Sequence, residues 1–389
     1  MISIVGFDFS PRTRIVYGID SIDRLGALTR ELGLQRVLLV TDAGLVACGH
    51  AEHARQSLET AGVTVTVYDR VRENPTTRDV DECLTVAREA EIDGFVGLGG
   101  GSSLDTAKGA NFLLTNGGAM LDYWGVGKAS KPMLPLVAVP TTAGTGSECQ
   151  SAALIADEVT HQKMVCLDSK AAARVAVLDP MLTVSQPRHV TACTGIDAIA
   201  HAIETAVTTK RNELSAVFSR EAFRLTFHHF ARVLAQPDDL EARGAMLLGA
   251  AYAGLAIELS MLGAAHAAAN PLTAHFGTVH GLAVGMLLPH VVRFNAEDPA
   301  ACRQYHELAV LVGLANDDAP CPQVIDTLCA RLTQLVTAMG LERPAIPAHA
   351  IPQLAAEATE QWTARFNPRP LTVVDFVKLF QCALEHPDT

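Results

Sequence analysis

An α/β N-terminal domain followed by an all-α C-terminal domain is the architecture that this 389-residue chain predicts. Three observations carry it. Short Val- and Leu-rich runs alternate with helical patterns through the first half, the pattern of a parallel sheet wrapped by helices. After Pro187 the alternation stops, and Ala-, Leu- and His-rich segments with apolar residues at i, i+3 and i+4 run to the end. The chain is also too long for one typical core, so two domains are expected, 1–187 and 188–389.

Strands are expected at 36–42 (RVLLVTD), 63–69 (VTVTVYD), 94–100 (GFVGLGG) and 134–142 (LPLVAVPTT), each closed by Gly, Asp, Pro or Thr. Helical spacing fills 51–62, 79–90 and 103–114 between them. Shorter strand candidates follow at 152–157, 163–168 and 174–179. In the second half the longest apolar run, 245–257, breaks at Glu258 before the roughly 20 residues that a bilayer needs. It reads as a buried helix, and no membrane partner is expected.

Composition narrows the function. With 49% hydrophobic and 19% charged residues the chain reads as compact and globular, not disordered. A net charge of -12 without a Lys/Arg run removes the source of counterion-release affinity, so no nucleic-acid partner is expected. Nine cysteines with no C-x-x-C pair indicate neither a disulfide framework nor a thiolate zinc site. The opening MISIVGFDFSPR has no charged region before its apolar start, so a secretory signal is not expected and a reducing cytoplasm fits.

Two polar turns end predicted strands. The first, Gly99, Gly100 and Gly101 followed by Ser102 and Ser103, opens a helix; glycines let backbone approach a pyrophosphate, and a helix N-terminus favours anions. The same residues also fit a tight turn with Ser102 and Asp105 as a capping box. The second turn offers Thr141, Thr142, Gly144, Thr145, Gly146 and Ser147 where ligands gather at strand C-terminal ends. Two such turns suggest one ligand. Asp42, closing the first long strand, suits ribose hydroxyls and would repel the extra phosphate of NADP, or it caps the helix that follows.

In the second half, TGIDAIAHAIE sets Asp197 and His201 four apart, one helical turn on one face. Such a pair also fits a surface hydrogen bond. Its apolar flanks, Ile196, Ala198, Ile199, Ala200, Ala202 and Ile203, argue for burial, and a buried carboxylate and imidazole require partners. His266, in an Ala-rich helical segment, and His280, just ahead of a further helix, could each complete the set. One carboxylate and three histidines suit Fe(II) or Zn(II) with a position left for substrate. His275 and His290 read as packed or hydrogen-bonded residues.

Taken together, GGGSSLDTAK, PTTAGTGSE, GIDAIAHAIE, HAAANPL and VHGLAVGMLLPHV resemble the iron-containing (group III) alcohol dehydrogenases, in order, from about Tyr17 to NPRPLT at 367–372. The resemblance implies a dehydroquinate synthase-like architecture: an α/β dinucleotide-binding domain, a helical domain, and a metal in the cleft between them. By position it places the metal ligands on Asp197, His201, His266 and His280. It places dinucleotide contacts on Asp42, Asn74, Gly99, Gly100, Gly101, Ser102, Asp105, Thr141, Thr142, Thr145 and Lys163. It further implies NAD more than NADP, Fe(II) with Zn(II) accepted, a homodimer, and hydride transfer between a small primary alcohol and its aldehyde.

Asn270 departs from the pattern, since many members carry a histidine there, one turn after the third ligand. An amide shuttles no proton near neutral pH, so ribose hydroxyls or water are expected to take that role. AIELSML at 256–262 also lacks the Phe and Asn often seen there, which reshapes the substrate pocket. Glu258, about two turns before His266, is a candidate partner for a ligand histidine and equally a candidate buried structural residue. Rival functions on related folds are a dehydroquinate synthase-like NAD/metal lyase and a metal-free reductase of the maleylacetate type. A catalytically silent nucleotide-binding protein is a third.

Overall fold

The computed structural model describes residues 7–160 and 162–385. Met1–Gly6, where the segment read for a leader begins, lies outside the described residues. The chain divides into two compact units, one formed by Phe9–Gln186, the other chiefly by Pro187–Thr389.

The first unit is built on a six-stranded, wholly parallel sheet. Its strands are β1 (Arg14–Tyr17), β2 (Arg36–Val40), β3 (Thr64–Tyr68), β4 (Gly94–Gly99), β6 (Leu136–Pro140) and β9 (Val175–Leu178), in the spatial order β1-β9-β6-β4-β2-β3. The long predicted strands fall on β2, β3, β4 and β6. In β4 and β6 every residue is buried, which explains their continuous apolar runs. The helices α1 (Leu25–Glu31), α2 (Ala43–Ala47), α3 (His50–Thr60), α4 (Thr77–Glu89) and α5 (Gly101–Asn116) make the crossovers. Two apolar clusters form the core, one including Leu38, Phe95, Leu104 and Ala138, the other Val37, Leu39, Val96 and Val139. These alternate along the same strands, so the sheet is packed on both faces.

A smaller sheet, β5-β8-β7, completes this unit: β5 (Gly125–Val126) runs parallel to β8 (Lys163–Leu167), and β7 (Ala152–Ala156) runs antiparallel to it. Thus the strand candidates at 152–157 and 163–168 form a hairpin apart from the main sheet, and only the one at 174–179 joins it.

Within the described residues the second unit is helical: α6 (Arg188–Thr205), α7 (Glu213–Ala235), α8 (Leu240–Ser260), α9 (Ala264–Phe276), α10 (His280–Asn295), α11 (Pro299–Leu311), α12 (Cys321–Ala338), α13 (Ile351–Glu360) and α14 (Val373–Glu385). At its centre, α6 packs against α7, α8 and α10. The helix α8 is long and apolar enough to cross a membrane by composition, but most of it is buried inside the protein, as expected of a core helix. One expectation fails: Cys302 and Cys321 form a disulfide. They stand in the first turns of α11 and α12, and their 19-residue separation carries no sequence signature of pairing.

Candidate functional site

The helix α6 carries Asp197 and His201 buried on one face. His266 stands in the first turn of α9, and His280 is the first residue of α10. What brings α10 to α6 is Gly281: a Cβ there would lie 2.0 Å from the Cys193 carbonyl oxygen. Only glycine allows the backbones so close, and the contact falls one turn before Asp197.

The result is a convergence of three imidazoles on one carboxylate oxygen. Asp197 Oδ1 lies 3.2 Å from His266 Nε2, 3.5 Å from His201 Nε2 and 3.9 Å from His280 Nε2. Metal–ligand bonds of about 2.0–2.2 Å in a tetrahedral shell give ligand–ligand edges of about 3.4 Å, so these separations suit one divalent ion. Ligand atoms of Asp197, His201 and His266 all fall within 4.8 Å of one another, whereas His280 stands slightly apart and more exposed. The His201 and His266 rings stack with centroids 4.7 Å apart, which turns both edges the same way.

Electrostatics agree with the geometry. Burial opposes ionisation of Asp197, but the surrounding imidazoles outweigh it and hold its carboxyl well below the usual range. Burial likewise disfavours the His266 cation, yet Glu204 and Asp197 push its pKa up to about 9. The cluster therefore stabilises positive charge where its donors meet, as a cation site must.

Glu204 was not among the residues picked from sequence. It is buried on α6 with Oε2 2.5 Å from His266 Nδ1, and its Oε1 accepts the Ala265 N–H at 2.7 Å. This is the kind of contact to a candidate ligand histidine for which Glu258 is also a candidate. Glu204 ends the motif GIDAIAHAIE, seven residues after Asp197 and so on the same helix face, which was the available signal. Of the other histidines, His275 forms an exposed pair with Glu357 at 2.7 Å, and burial lowers the pKa of His290. Asn270 donates from Nδ2 to Gln361 Oε1 at 2.9 Å.

In the α/β unit the two polar turns touch. The Thr141 N–H bonds to Gly99 O at 3.0 Å, and a Cβ at Gly100 or Gly101 would meet Thr142 at 3.1 Å or Thr145 at 2.9 Å. Asn74, at φ +53°, donates its backbone N–H to Ser102 Oγ at 3.2 Å. No Ser102–Asp105 capping box forms: α5 is capped by Gly100 with no side-chain bond, and Asp105 Oδ1 instead accepts from Ser147 Oγ at 2.8 Å. Burial raises the Asp105 pKa, opposed by the charges of Lys108 and Lys163 among others. Asp42 does cap α2, accepting the Leu45 N–H at 3.0 Å.

Sequence reading also passed over Lys108. Fully buried, its ammonium lies 2.7–2.9 Å from Ser147 O, Ser147 Oγ, Gln150 O and Ala152 O, and so fastens the turn that follows the threonine-rich loop.

Comparison with known proteins extends over the same elements. Residues 11–180 match the family of iron-containing alcohol dehydrogenases, and residues 191–384 match the C-terminal region of the Fe-containing alcohol dehydrogenase family. The NAD-dependent methanol dehydrogenase of Bacillus methanolicus is 32% identical over 95% of this chain and 97% of its own. The lactaldehyde reductase of Escherichia coli is 32% identical over 92% and 95%. A crystal structure of 1,3-propanediol oxidoreductase superposes with a TM-score of 0.93 at 30% identity, covering 97% of this chain and all of that one. Likeness of this extent, through both units and every motif that carries the candidate ligands, makes the chain a member of the iron-containing alcohol dehydrogenase family.

Proposed function

We propose that the protein interconverts a small primary alcohol and its aldehyde by hydride transfer with NAD, using a divalent metal held by Asp197, His201, His266 and His280. The convergence of three imidazole nitrogens on Asp197 Oδ1 carries this reading. Iron(II) is the metal we propose, and the same oxygen and nitrogen donors accept zinc(II). Bound there, the ion supplies Lewis acidity, and the dinucleotide supplies the hydride acceptor.

The chain's own part is binding, charge and orientation. Asp197 contributes the negative charge of the ligand set, and Glu204 holds the His266 ring. At Gly99–Ser102 the start of α5, whose cap Gly100 brings no side-chain hydrogen bond, offers first-turn N–H groups to a pyrophosphate. Thr141, Thr142 and Thr145 supply hydroxyls beside it, with Asn74 and Asp105 bordering the loops and Lys163 adding positive charge. Asp42 keeps a carboxylate oxygen for the ribose, which favours NAD over NADP. Asn270, bonded to Gln361, carries no titratable proton, so a proton leaves through water or ribose hydroxyls. Relatives named for methanol, lactaldehyde and 1,3-propanediol support a small substrate.

The test is nicotinamide absorbance over time with anaerobic protein loaded with Fe(II) or Zn(II), NAD or NADP, and a panel of primary alcohols and diols. Metal-dependent NADH formation is expected. Asp197→Ala and His266→Ala should abolish turnover and lower metal content. Full activity of either variant without metal overturns the mechanism, and NAD binding without net NADH formation favours the lyase chemistry of the shared fold.

A further inference from the structure

We infer that Glu204 is the positioning residue of the metal centre, fixing both the tautomer of His266 and the start of the helix that bears it. The inference rests on the metal-site reading above, and its ground is hydrogen-bond geometry.

A carboxylate is an acceptor only. With Glu204 Oε2 2.5 Å from His266 Nδ1, that nitrogen carries a proton; Nε2 faces a second carboxylate, Asp197 Oδ1, at 3.2 Å, so an ion would displace the Nε2 proton, and the neutral ring would then keep Nδ1–H and turn its lone pair from Nε2 to the metal. Rotation of the ring is blocked from the same side. A histidine so held is pre-set as a ligand, whereas the opposite tautomer would aim an N–H at the ion.

The second oxygen does different work. The helix α9 begins after Gly263, which has no side chain to cap it. Glu204 Oε1 accepts the Ala265 N–H at 2.7 Å, and Asn367 Oδ1 accepts the Ala264 N–H at 3.3 Å. The start of α9 is thus capped from outside the helix, one residue before the ligand. A Cβ at Gly263 would meet Asn367 Oδ1 at 3.0 Å and Glu204 Oε1 at 3.2 Å, so both caps close on a backbone kept bare. Asn367 is itself locked: its Nδ2 donates to Asn295 Oδ1 at 2.6 Å and to Arg369 O at 2.7 Å, and Asn295 Nδ2 donates back at 3.0 Å. Asn295 ends α10, the helix that His280 begins, so one buried chain of hydrogen bonds ties α6, the start of α9 and the end of α10. It also gives the Asn of the NPRPLT stretch a physical role.

Glu204→Gln separates the two roles. The glutamine Oε1 can still accept the Ala265 N–H, but its Nε2 then faces His266 Nδ1 and forces that nitrogen to accept, moving the ring proton to Nε2. Glu204→Ala removes both contacts. The measurements are zinc(II) affinity of the full-length protein by chelator competition, the visible spectrum of the cobalt(II)-loaded protein, and the melting temperature of the metal-free protein. Glu204→Gln is expected to bind zinc roughly 10- to 100-fold more weakly with an altered cobalt spectrum, while its metal-free melting temperature stays near that of the unaltered protein. Glu204→Ala should lose metal affinity and melting temperature together. Unaltered zinc affinity and cobalt spectrum in Glu204→Gln would overturn the positioning role and leave Glu204 as a helix cap. Failure of the unaltered protein to bind zinc or cobalt would instead sink the metal-site reading on which the inference rests.

Discussion

Glu148 should make the α/β unit lose stability as pH rises from about 4.5 to about 7. It is fully buried in the turn after the threonine-rich loop, and its Oε1 has no hydrogen-bond partner among the described residues. Burial lifts its pKa from 4.5 to about 7, against the opposing pull of its own backbone N–H and Lys108. A carboxyl whose pKa is raised by folding binds its proton more tightly in the native state. Its favourable contribution is therefore complete below about pH 4.5 and is lost progressively up to about pH 7. The shift amounts to about 3 kcal/mol of differential stability, of which roughly 1 kcal/mol is already lost at pH 5. Glu148→Gln keeps the shape and cannot ionise, so it should match the unaltered protein near pH 4.5 and gain on it towards pH 8. For a unit of this size the gain corresponds to roughly 6–12 °C in melting temperature, read by calorimetry across a pH series. A melting difference that stays constant from pH 5 to pH 8 would falsify a raised Glu148 pKa.

Further outcomes follow from other contacts. Gly281→Ala places a methyl against the Cys193 carbonyl and should push α10 off α6; a loss of about 1–3 kcal/mol with a parallel drop in zinc stoichiometry is expected, and full metal loading would refute the close-approach account. Lys108→Met leaves Ser147 O, Gln150 O and Ala152 O without their donor, which should destabilise the α/β unit by upwards of about 3 kcal/mol in urea unfolding and weaken NAD binding in titration calorimetry. Asp42→Asn preserves the cap on α2 but removes the charge, so the ratio of kcat/KM for NADP over NAD should rise roughly tenfold; an unmoved ratio assigns Asp42 to the cap alone.

The sequence spoke clearly where structure is local. Continuous Val and Leu runs marked β2, β4 and β6 because both sheet faces are covered, and the i, i+4 spacing of Asp197 and His201 survived because both ride on one helix. It was silent on short or distant pairings. The two-residue β5 and the edge strand β1 are too brief to show a period, and the β7–β8 hairpin resembles two more sheet strands until its partner is known. Glu204 lay in plain view within a quoted motif, but its partner is 62 residues away and periodicity says nothing about it. Asp105 looked like a capping residue by spacing from Ser102, yet the Ser147 hydroxyl, 42 residues on, draws it aside. Hydrophobic patterning likewise hid Lys108, because a buried lysine surrounded by carbonyl oxygens looks like any surface cation in one dimension.

The division of donors between one helix interior and two helix beginnings bears on how the chain is held together in time. Asp197 and His266 are 69 residues apart, and an ion gripping both would shut a chain loop that includes all of α7 and α8. In loop-entropy bookkeeping a closure of that length is worth about 4 kcal/mol, comparable to a disulfide across the same span. Loading the centre would then act as a reversible staple. Protease digestion should nick the loops at 206–212 and 236–239 more slowly in metal-loaded protein, so that the ion sets the lifetime of the helical unit as well as its chemistry.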